Sequence, residues 1–331
     1  MQPICVGVVG VGHLGSLHAK MLAGIPGAVL TGVFDVDQAK SARVAQEYGT
    51  RAFGSLEELL EAVDAVTVAV ATSNHAVVSL EGLRRGKHLF IEKPITETVQ
   101  EADAICTLAR EKGLLVQVGH IERFNPAVLA LEKYDIRPMF IESHRLAQFK
   151  PRGVDVAVVL DLMIHDIDLI LSFAKSPVHQ VDASGVAVVS DTIDIANARL
   201  QFENGCVANV TASRISQRKM RKMRLFQRNA YISIDFSEGL SEVFRLVTAD
   251  EPDVRGTMLL GEIEMGTRKH KIVYEQPEVK PVNALEHELS LFLSSVRGGT
   301  RPIVSGEDGK RALEVASVIM EKIHRQGMPL S

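Results

Sequence analysis

The first 119 residues alternate between short apolar runs rich in β-branched residues and longer segments whose apolar positions recur every three to four residues. Strand patterns cover Ile4–Val9, Val29–Asp35, Ala65–Ala71, His88–Ile91 and Leu115–Val118. Helical patterns cover Ser16–Ala23, Gln38–Tyr48, Val77–Arg85 and Val99–Lys112. Strands that are apolar throughout and joined through helices predict βαβ units and a parallel sheet buried on both faces.

After Gly119 the texture changes. Strand patterns follow one another and alternate apolar with polar positions, as in Ile141–Phe149, Val181–Val189, Asp194–Phe202, Val207–Ser213 and Tyr231–Phe236. That alternation predicts a largely antiparallel, open-faced sheet with one wet side. Helical patterns at Val158–Ala174, Leu285–Val296 and Glu307–Arg325 are expected to cover its other side or to contact the first domain. A chain of 331 residues is longer than one hydrophobic core usually grows. The expectation is an α/β protein of two domains, 1–119 with the parallel sheet and 120–331 of α+β type.

Composition narrows the partners. Apolar residues at 46% and charged residues at 24% describe an ordinary globular chain. A net charge of -4 offers no general attraction to nucleic acid or anionic membrane, which leaves small molecules. Cys5, Cys106 and Cys206 are too far apart for a zinc motif and too few for a disulfide framework, which fits a reducing cytoplasm. The apolar run Ile4–Val11 is too short to span a membrane and lacks the flanks of a signal peptide.

The first strand runs into Gly10-Val-Gly12-His13-Leu14-Gly15 and then into a helix, the context in which G-x-G-x-x-G reads as a Rossmann dinucleotide fingerprint. Gly10 permits the tight turn, Gly12 a close approach to the pyrophosphate, and Gly15 close packing of helix on strand. Asp35 closes the second strand, 20 residues past Gly15, where a carboxylate accepts ribose hydroxyls and repels a 2'-phosphate. NAD is therefore expected over NADP, although Lys40 and Arg43 lie just downstream. The alternative makes the glycines plain turn residues and Asp35 a helix cap. Glu92-Lys93-Pro94 falls at the carboxyl end of a parallel strand, the edge where ligands bind in such sheets.

These features, with His75 17 residues before Glu92 and with Asp161-Leu-Met-Ile-His165-Asp-Ile-Asp168, resemble the glucose-fructose oxidoreductase, inositol dehydrogenase and MocA family. The resemblance runs nearly the whole chain, to Pro302–Gly309 before the last helix. Ala71 departs from it, standing in a loop where the family often has proline. The resemblance implies a sugar dehydrogenase, with Lys93, Asp161 and His165 around the reacting carbon. Positions four apart share one helix face, so Asp161 and His165 can meet one ligand, and Asp168 is expected to extend that face. His165 suits the base, Lys93 the stabiliser of the oxygen, and Asp161 the orienting group. Contacts to NAD are expected from Gly10, Gly12, His13, Leu14, Gly15, Asp35, Thr72, His75, Glu92 and Lys93. No metal is expected.

The stretch His120–Pro126, which includes Arg123 and Asn125, and the stretch Ala212–Ser216 resemble family members that oxidise C3 of a UDP-linked N-acetylhexosamine. Between Arg214 and Arg228 the chain carries Arg214, Arg218, Lys219, Arg221, Lys222, Arg224 and Arg228 and no acid. Such a cluster suits a diphosphate, or else a solvated hairpin whose charges guard a strand edge. Arg123, Asn125, Asp161, His165, Arg214 and Arg218 are the expected substrate contacts. Rival readings are a dehydrogenase of a free sugar or inositol, an NAD-binding regulator without activity, and an enzyme in which redox is one step of glycoside cleavage. Relatives imply a homodimer or homotetramer.

Overall fold

The computed structural model describes residues 3–149, 156–248, 257–265 and 268–325, which divide into two compact units. Unit 1 comprises Met1–Ile121 and Asn283–Glu314, and unit 2 comprises Glu122–Val282 and Val315–Ser331.

Unit 1 runs β1 (Ile4–Val9), α1 (His13–Leu22), β2 (Ala28–Phe34), α2 (Gln38–Tyr48), β3 (Arg51–Ala52), α3 (Leu56–Glu61), β4 (Ala65–Val68), α4 (His75–Arg84), β5 (His88–Glu92), α5 (Val99–Lys112) and β6 (Val116–Gly119). Among the described residues its sheet has six strands in the order β3-β2-β1-β4-β5-β6, every pair parallel. This is the Rossmann order, with the topological switch between β1 and β4. The helices begin and end where local chemistry directs. Asp37 accepts from Ala39 and Lys40 backbone N–H at the start of α2, and Thr98 forms a reciprocal capping box with Glu101 at the start of α5.

Unit 2 begins with α6 (Pro126–Leu129) and β7 (Phe140–Leu146), then a π-helical turn at Val159–Met163 that leads into α7 (Ile164–Ala174). β8 (Val178–Val186), β9 (Ile195–Phe202), β10 (Val207–Ser213), β11 (Met220–Gln227), β12 (Ala230–Asp235), β13 (Leu240–Thr248), β14 (Thr257–Met265) and β15 (Arg268–Glu275) follow. Among the described residues they form a sheet of nine strands in the order β14-β15-β13-β12-β11-β7-β10-β9-β8. Among the described residues, β7 and β10 are the one parallel pair in it. Burial alternates along β7 and β9, so one face packs inward, where α7 lies on β7 and β10.

Two helices close the chain, α8 (Ala284–Gly298) and α9 (Gly306–Arg325). The pattern reading assigned everything from residue 120 onward to the second domain, but α8 joins unit 1. Its Leu289, Phe292 and Leu293 are buried in one cluster with Val6, Val8, Leu22 and Phe90. Burying each such side chain contributes about 1.5–3 kcal/mol, and nothing in a helix's own periodicity says which core it will fill. The first half of α9 belongs to unit 1 and its second half to unit 2.

Candidate active site

The carboxyl edge of the parallel sheet collects the fingerprint residues. Gly10 follows β1 with φ of 83°, and its N–H donates to the Phe34 carbonyl at 2.8 Å. A Cβ there would stand 2.8 Å from the Ala69 carbonyl oxygen. At Gly15 a Cβ would stand 1.8 Å from the Gly10 oxygen, so α1 crosses β1 at a separation only glycine allows. Gly12 caps α1 with extended backbone and no side-chain cap, and a Cβ there would meet nothing within 4 Å. His13 and Leu14 are exposed beside it. An open helix N-terminus with free volume before it is the cradle that a pyrophosphate requires.

Asp35, directly after β2, is held from both sides. Its Oδ2 accepts the Val11 N–H at 2.8 Å and its Oδ1 accepts the Asp37 N–H at 2.9 Å. The carboxylate is thereby tied to the glycine loop as well as to its own strand end. Lys40, the nearer of the two cations beyond it, lies 3.3 Å from Asp37 in a half-exposed ion pair.

Thr72 opens a short 3₁₀ turn after β4, and His75 opens α4. The buried His75 ring lies between two carbonyl oxygens, Nδ1 at 2.9 Å from Pro94 and Nε2 at 3.2 Å from Val70. It therefore joins the loops that follow β4 and β5. Burial holds its pKa below the usual imidazole value, against the opposite pull of the two carbonyls. A neutral ring donates to one of those carbonyls at a time. Glu92 and Lys93 end β5, both partly buried. Lys93 joins Pro94 through a cis peptide.

In unit 2, Asp161 sits in the π-helical turn and His165 in the first turn of α7, both half-buried. A regular helix over 158–174 was expected. Instead the first turn is widened by an extra residue, a feature held in place by surrounding packing, here the buried Val159 and Met163. The next two acids turn inward. Arg145 is 3% exposed and reaches Asp166 through Nε at 2.6 Å and Glu122 through Nη1 at 2.6 Å. Burial works to lower the Arg145 pKa, but the two carboxylates outweigh it and hold the guanidinium charged. Asp168, expected to extend the Asp161–His165 face, is instead gripped by Arg123 through two hydrogen bonds of 2.7 Å. Asp166 and Asp168 are each 1% exposed, so both carboxylates lie in the core with their arginine partners.

Comparison with known proteins agrees with this geometry. The profile described as "Oxidoreductase family, NAD-binding Rossmann fold" matches residues 4–120, and the GFO/IDH/MocA C-terminal domain profile matches residues 141–234. UDP-N-acetylglucosamine 3-dehydrogenase of Acidithiobacillus ferrooxidans is 37% identical over 94% of both chains. This chain belongs to the GFO/IDH/MocA oxidoreductase family. The solved structure of that same Acidithiobacillus enzyme superposes with a TM-score of 0.87 at 36% identity, over 98% of this chain and 99% of the other. The scyllo-inositol 2-dehydrogenase (NAD(+)) of Bacillus subtilis is 26% identical over 98% of this chain and 94% of its own. The protein is thus an NAD-dependent oxidoreductase, and the Gly10–Gly15 loop with Asp35 has the form that such a cofactor needs.

Family membership leaves the individual substrate contacts to be judged from the geometry. Arg123 has Asp168 in its fork. The Asn125 side chain caps α6 by accepting from Ala127 N–H and donates to Glu122 at 3.1 Å. Arg214 is buried, donates to the Val156 carbonyl and lies 3.9 Å from Asp194. The basic stretch forms β11, whose pleat divides it. Met223 and Leu225 point inward while Lys222 and Arg224 face the open side. Lys222 pairs with Asp235 at 3.0 Å, Arg224 with Glu142 at 3.4 Å, and Arg221 approaches Glu122 at 3.9 Å. Arg218 and Lys219 are exposed before β11, and Arg228 is exposed after it. Ten residues of near-extended chain separate Arg218 from Arg228, about 30 Å.

Sequence reading missed His18, Glu122 and Arg145. Each is a polar residue in an apolar setting, buried at 0%, 7% and 3% exposure respectively. The available signal was a histidine on the apolar stripe of α1. Among the described residues, no group of three or more His, Cys, Asp and Glu side chains is placed to hold a metal ion. No described helix is long and apolar enough to cross a membrane. Burial pushes the Cys106 thiol up to about 12 and the Cys206 thiol up to about 11, which makes both poor nucleophiles at neutral pH.

Proposed function

We propose that the protein oxidises the 3-hydroxyl of a UDP-linked N-acetylhexosamine with NAD in preference to NADP. The observation that carries this reading is the 37% identity to UDP-N-acetylglucosamine 3-dehydrogenase, sustained over 94% of both chains, against 26% to the inositol enzyme. NAD, when bound, supplies the hydride acceptor. In this reading Asp35 receives the adenosine ribose hydroxyls, and the first turn of α1 with His13 and Leu14 lines the pyrophosphate. Thr72, His75 and Glu92 shape the edge from which Lys93 reaches the ligand. Lys93 stabilises negative charge on the substrate oxygen as its carbon loses hydride, His165 takes the hydroxyl proton, and Asp161 orients the sugar.

The diphosphate is assigned to Arg218 and Lys219. Three of the other cations are met by carboxylates and Arg214 is buried among protein acceptors. Arg123 and Asn125 then act at one remove, by fixing α7 and α6. The inositol reading is favoured by one specific observation, the pairing of Lys222 and Arg224 with Asp235 and Glu142, which meets two of the seven cations of the basic stretch.

The same reading makes the protein a cytoplasmic homodimer or homotetramer. Its support is a row of rings across the open face of the nine-stranded sheet. Phe140, Phe226, Tyr231, Phe244 and Tyr274 are each cross-strand neighbours, with successive centroids 5.0–6.0 Å apart. Light scattering behind a sizing column reads the mass, and a monomer removes this assignment. For the reaction, the test is a panel of UDP-N-acetylglucosamine, UDP-N-acetylgalactosamine, free N-acetylglucosamine and inositols with NAD, followed at the nicotinamide absorbance. Turnover of the UDP conjugates alone is expected. Equal rates on free N-acetylglucosamine, or turnover of inositol alone, would overturn the proposal.

A further inference from the structure

His18 has no place in the mechanism above, yet its side chain is fully buried in α1, a helix whose N-terminus serves the cofactor. Its ring meets Phe90 edge to face at 5.3 Å, and Phe90 meets Phe292 of α8 at 5.8 Å, so the imidazole is clamped in the core of unit 1. From there Nε2 reaches Oε1 of Glu92 at 2.9 Å. The other carboxylate oxygen, Oε2, accepts the backbone N–H of Lys93 at 3.3 Å. On the far side Gly119 of β6 makes room, because a Cβ there would press within 3.1–3.2 Å of the carboxylate. His18 Nδ1 is buried with no hydrogen-bond partner among the described residues, so the tautomer that the site accommodates carries its proton on Nε2 and donates it to Glu92.

We propose that His18 is a positioning residue for Lys93: through the Nε2–H···Oε1 hydrogen bond it fixes the Glu92 carboxylate, and the carboxylate fixes the backbone from which the lysine projects. The proposal rests on the reading of Lys93 as the group that meets the substrate oxygen. Its physical content is that the cofactor helix and the lysine strand are tied by one buried, charge-assisted hydrogen bond. A carboxylate at 12% exposure needs such a donor to stay ionised. Burial pushes the Glu92 carboxyl up, and the hydrogen bond from His18 together with the charge on Lys93 outweighs it and holds the pKa below the ordinary value. Without the donor, Glu92 takes up a proton more easily, and the lysine loses both its anchor and its negative neighbour.

Three substitutions separate positioning from mere packing. His18→Phe keeps a ring against Phe90 and removes the donor. His18→Gln keeps a donor near the Nε2 position, and His18→Asn carries an amide too short to reach Glu92. Two readouts are taken together. The first is kcat with NAD on the substrate identified by the panel, with the Kd for NAD from calorimetry. The second needs no substrate: the rate at which Lys93 reacts with an amine-directed reagent, quantified by peptide mass spectrometry, with the other lysines as internal controls. His18→Phe should lower kcat by about 10- to 100-fold with the NAD Kd within about twofold, and Lys93 should label about threefold faster, while His18→Gln recovers both. If His18→Phe does not fold, the same contrast is read between Asn and Gln. A His18→Phe or His18→Asn protein with wild-type kcat and wild-type Lys93 labelling overturns the proposal, as does a Gln variant no better than the Phe or Asn variant. Lys93→Ala is run alongside: near-native turnover there overturns the reading of Lys93 itself, whereas an inactive Lys93→Ala beside a fully active His18→Phe overturns the role of His18 alone.

Discussion

Two stretches of this chain look equally promising as written, the glycine loop with Asp35 and the run of cations from Arg214 to Arg228. Folding treats them differently. The first is a turn between β1 and α1, and its chemistry is carried by backbone N–H groups whose positions follow from local geometry. Asp35 arrives at the same edge because β2 lies beside β1 and runs parallel to it. The second becomes a strand, and a strand sends neighbours to opposite faces and spreads them at about 3.3 Å per residue. Its cations meet Glu122, Asp235 and Glu142 from other parts of unit 2. Density of charge along the chain is thus a weaker indicator of a binding site than a turn whose backbone is already aimed.

The comparison can be broken most severely at the chemistry itself. Lys93→Ala and His165→Ala should each lower kcat by about 10²- to 10⁴-fold, the usual contribution of a proton-transfer or charge-stabilising group, with NAD affinity by calorimetry nearly unchanged. Full turnover in His165→Ala would remove it as the base. Next in size is the buried network below it. Arg145→Met strands Asp166 and Glu122 in the core, and urea unfolding should show a loss of about 3–5 kcal/mol. A loss below ~1 kcal/mol would mean that those acids are satisfied without the arginine.

Smaller effects sharpen the contrast between the two stretches. Gly15→Ala drives a methyl into the Gly10 carbonyl, and a destabilisation of about 1–3 kcal/mol with weakened NAD binding is expected. Unaltered binding would mean that α1 and β1 can part at no cost. Asp35→Ser should narrow the preference for NAD over NADP by about tenfold, or 1.4 kcal/mol. A wild type that prefers NADP would place the carboxylate away from the ribose. Smallest is the charge reversal Arg218→Glu, expected to raise the KM for the UDP sugar by about fivefold at low salt and by less at high salt, with the KM for NAD unchanged. Arg224→Glu, whose native partner is Glu142, should do little. The reverse ranking would return the diphosphate to β11.

Much of the fold was legible in the pattern of apolar positions. The five predicted parallel strands and the four helices between them are present, because strands buried on both faces must be apolar at nearly every position. The short β3 and α3 were not legible, since two and six residues are too few to show a period. β11, β13, β14 and β15 also escaped. In β11 the outward positions are largely basic, so alternation is lost unless the inward partners Met223 and Leu225 are already known to be buried.

The sequence by itself determined what depends on near neighbours along the chain: the glycine turn and its helix, the acid that ends β2, the Lys93 strand end, and the succession of elements that makes a Rossmann order. Tertiary structure alone decided what depends on partners far apart in sequence. Asp168 is held by Arg123, 45 residues away, and Lys222 and Arg224 are met by acids on neighbouring strands. α8 went to the first core, and His18 found Glu92 at a separation of 74 residues. The reason is common to all of these. A backbone turn states its geometry in a few consecutive residues, whereas the partner of a side chain is set by packing, and packing is a property of the whole fold.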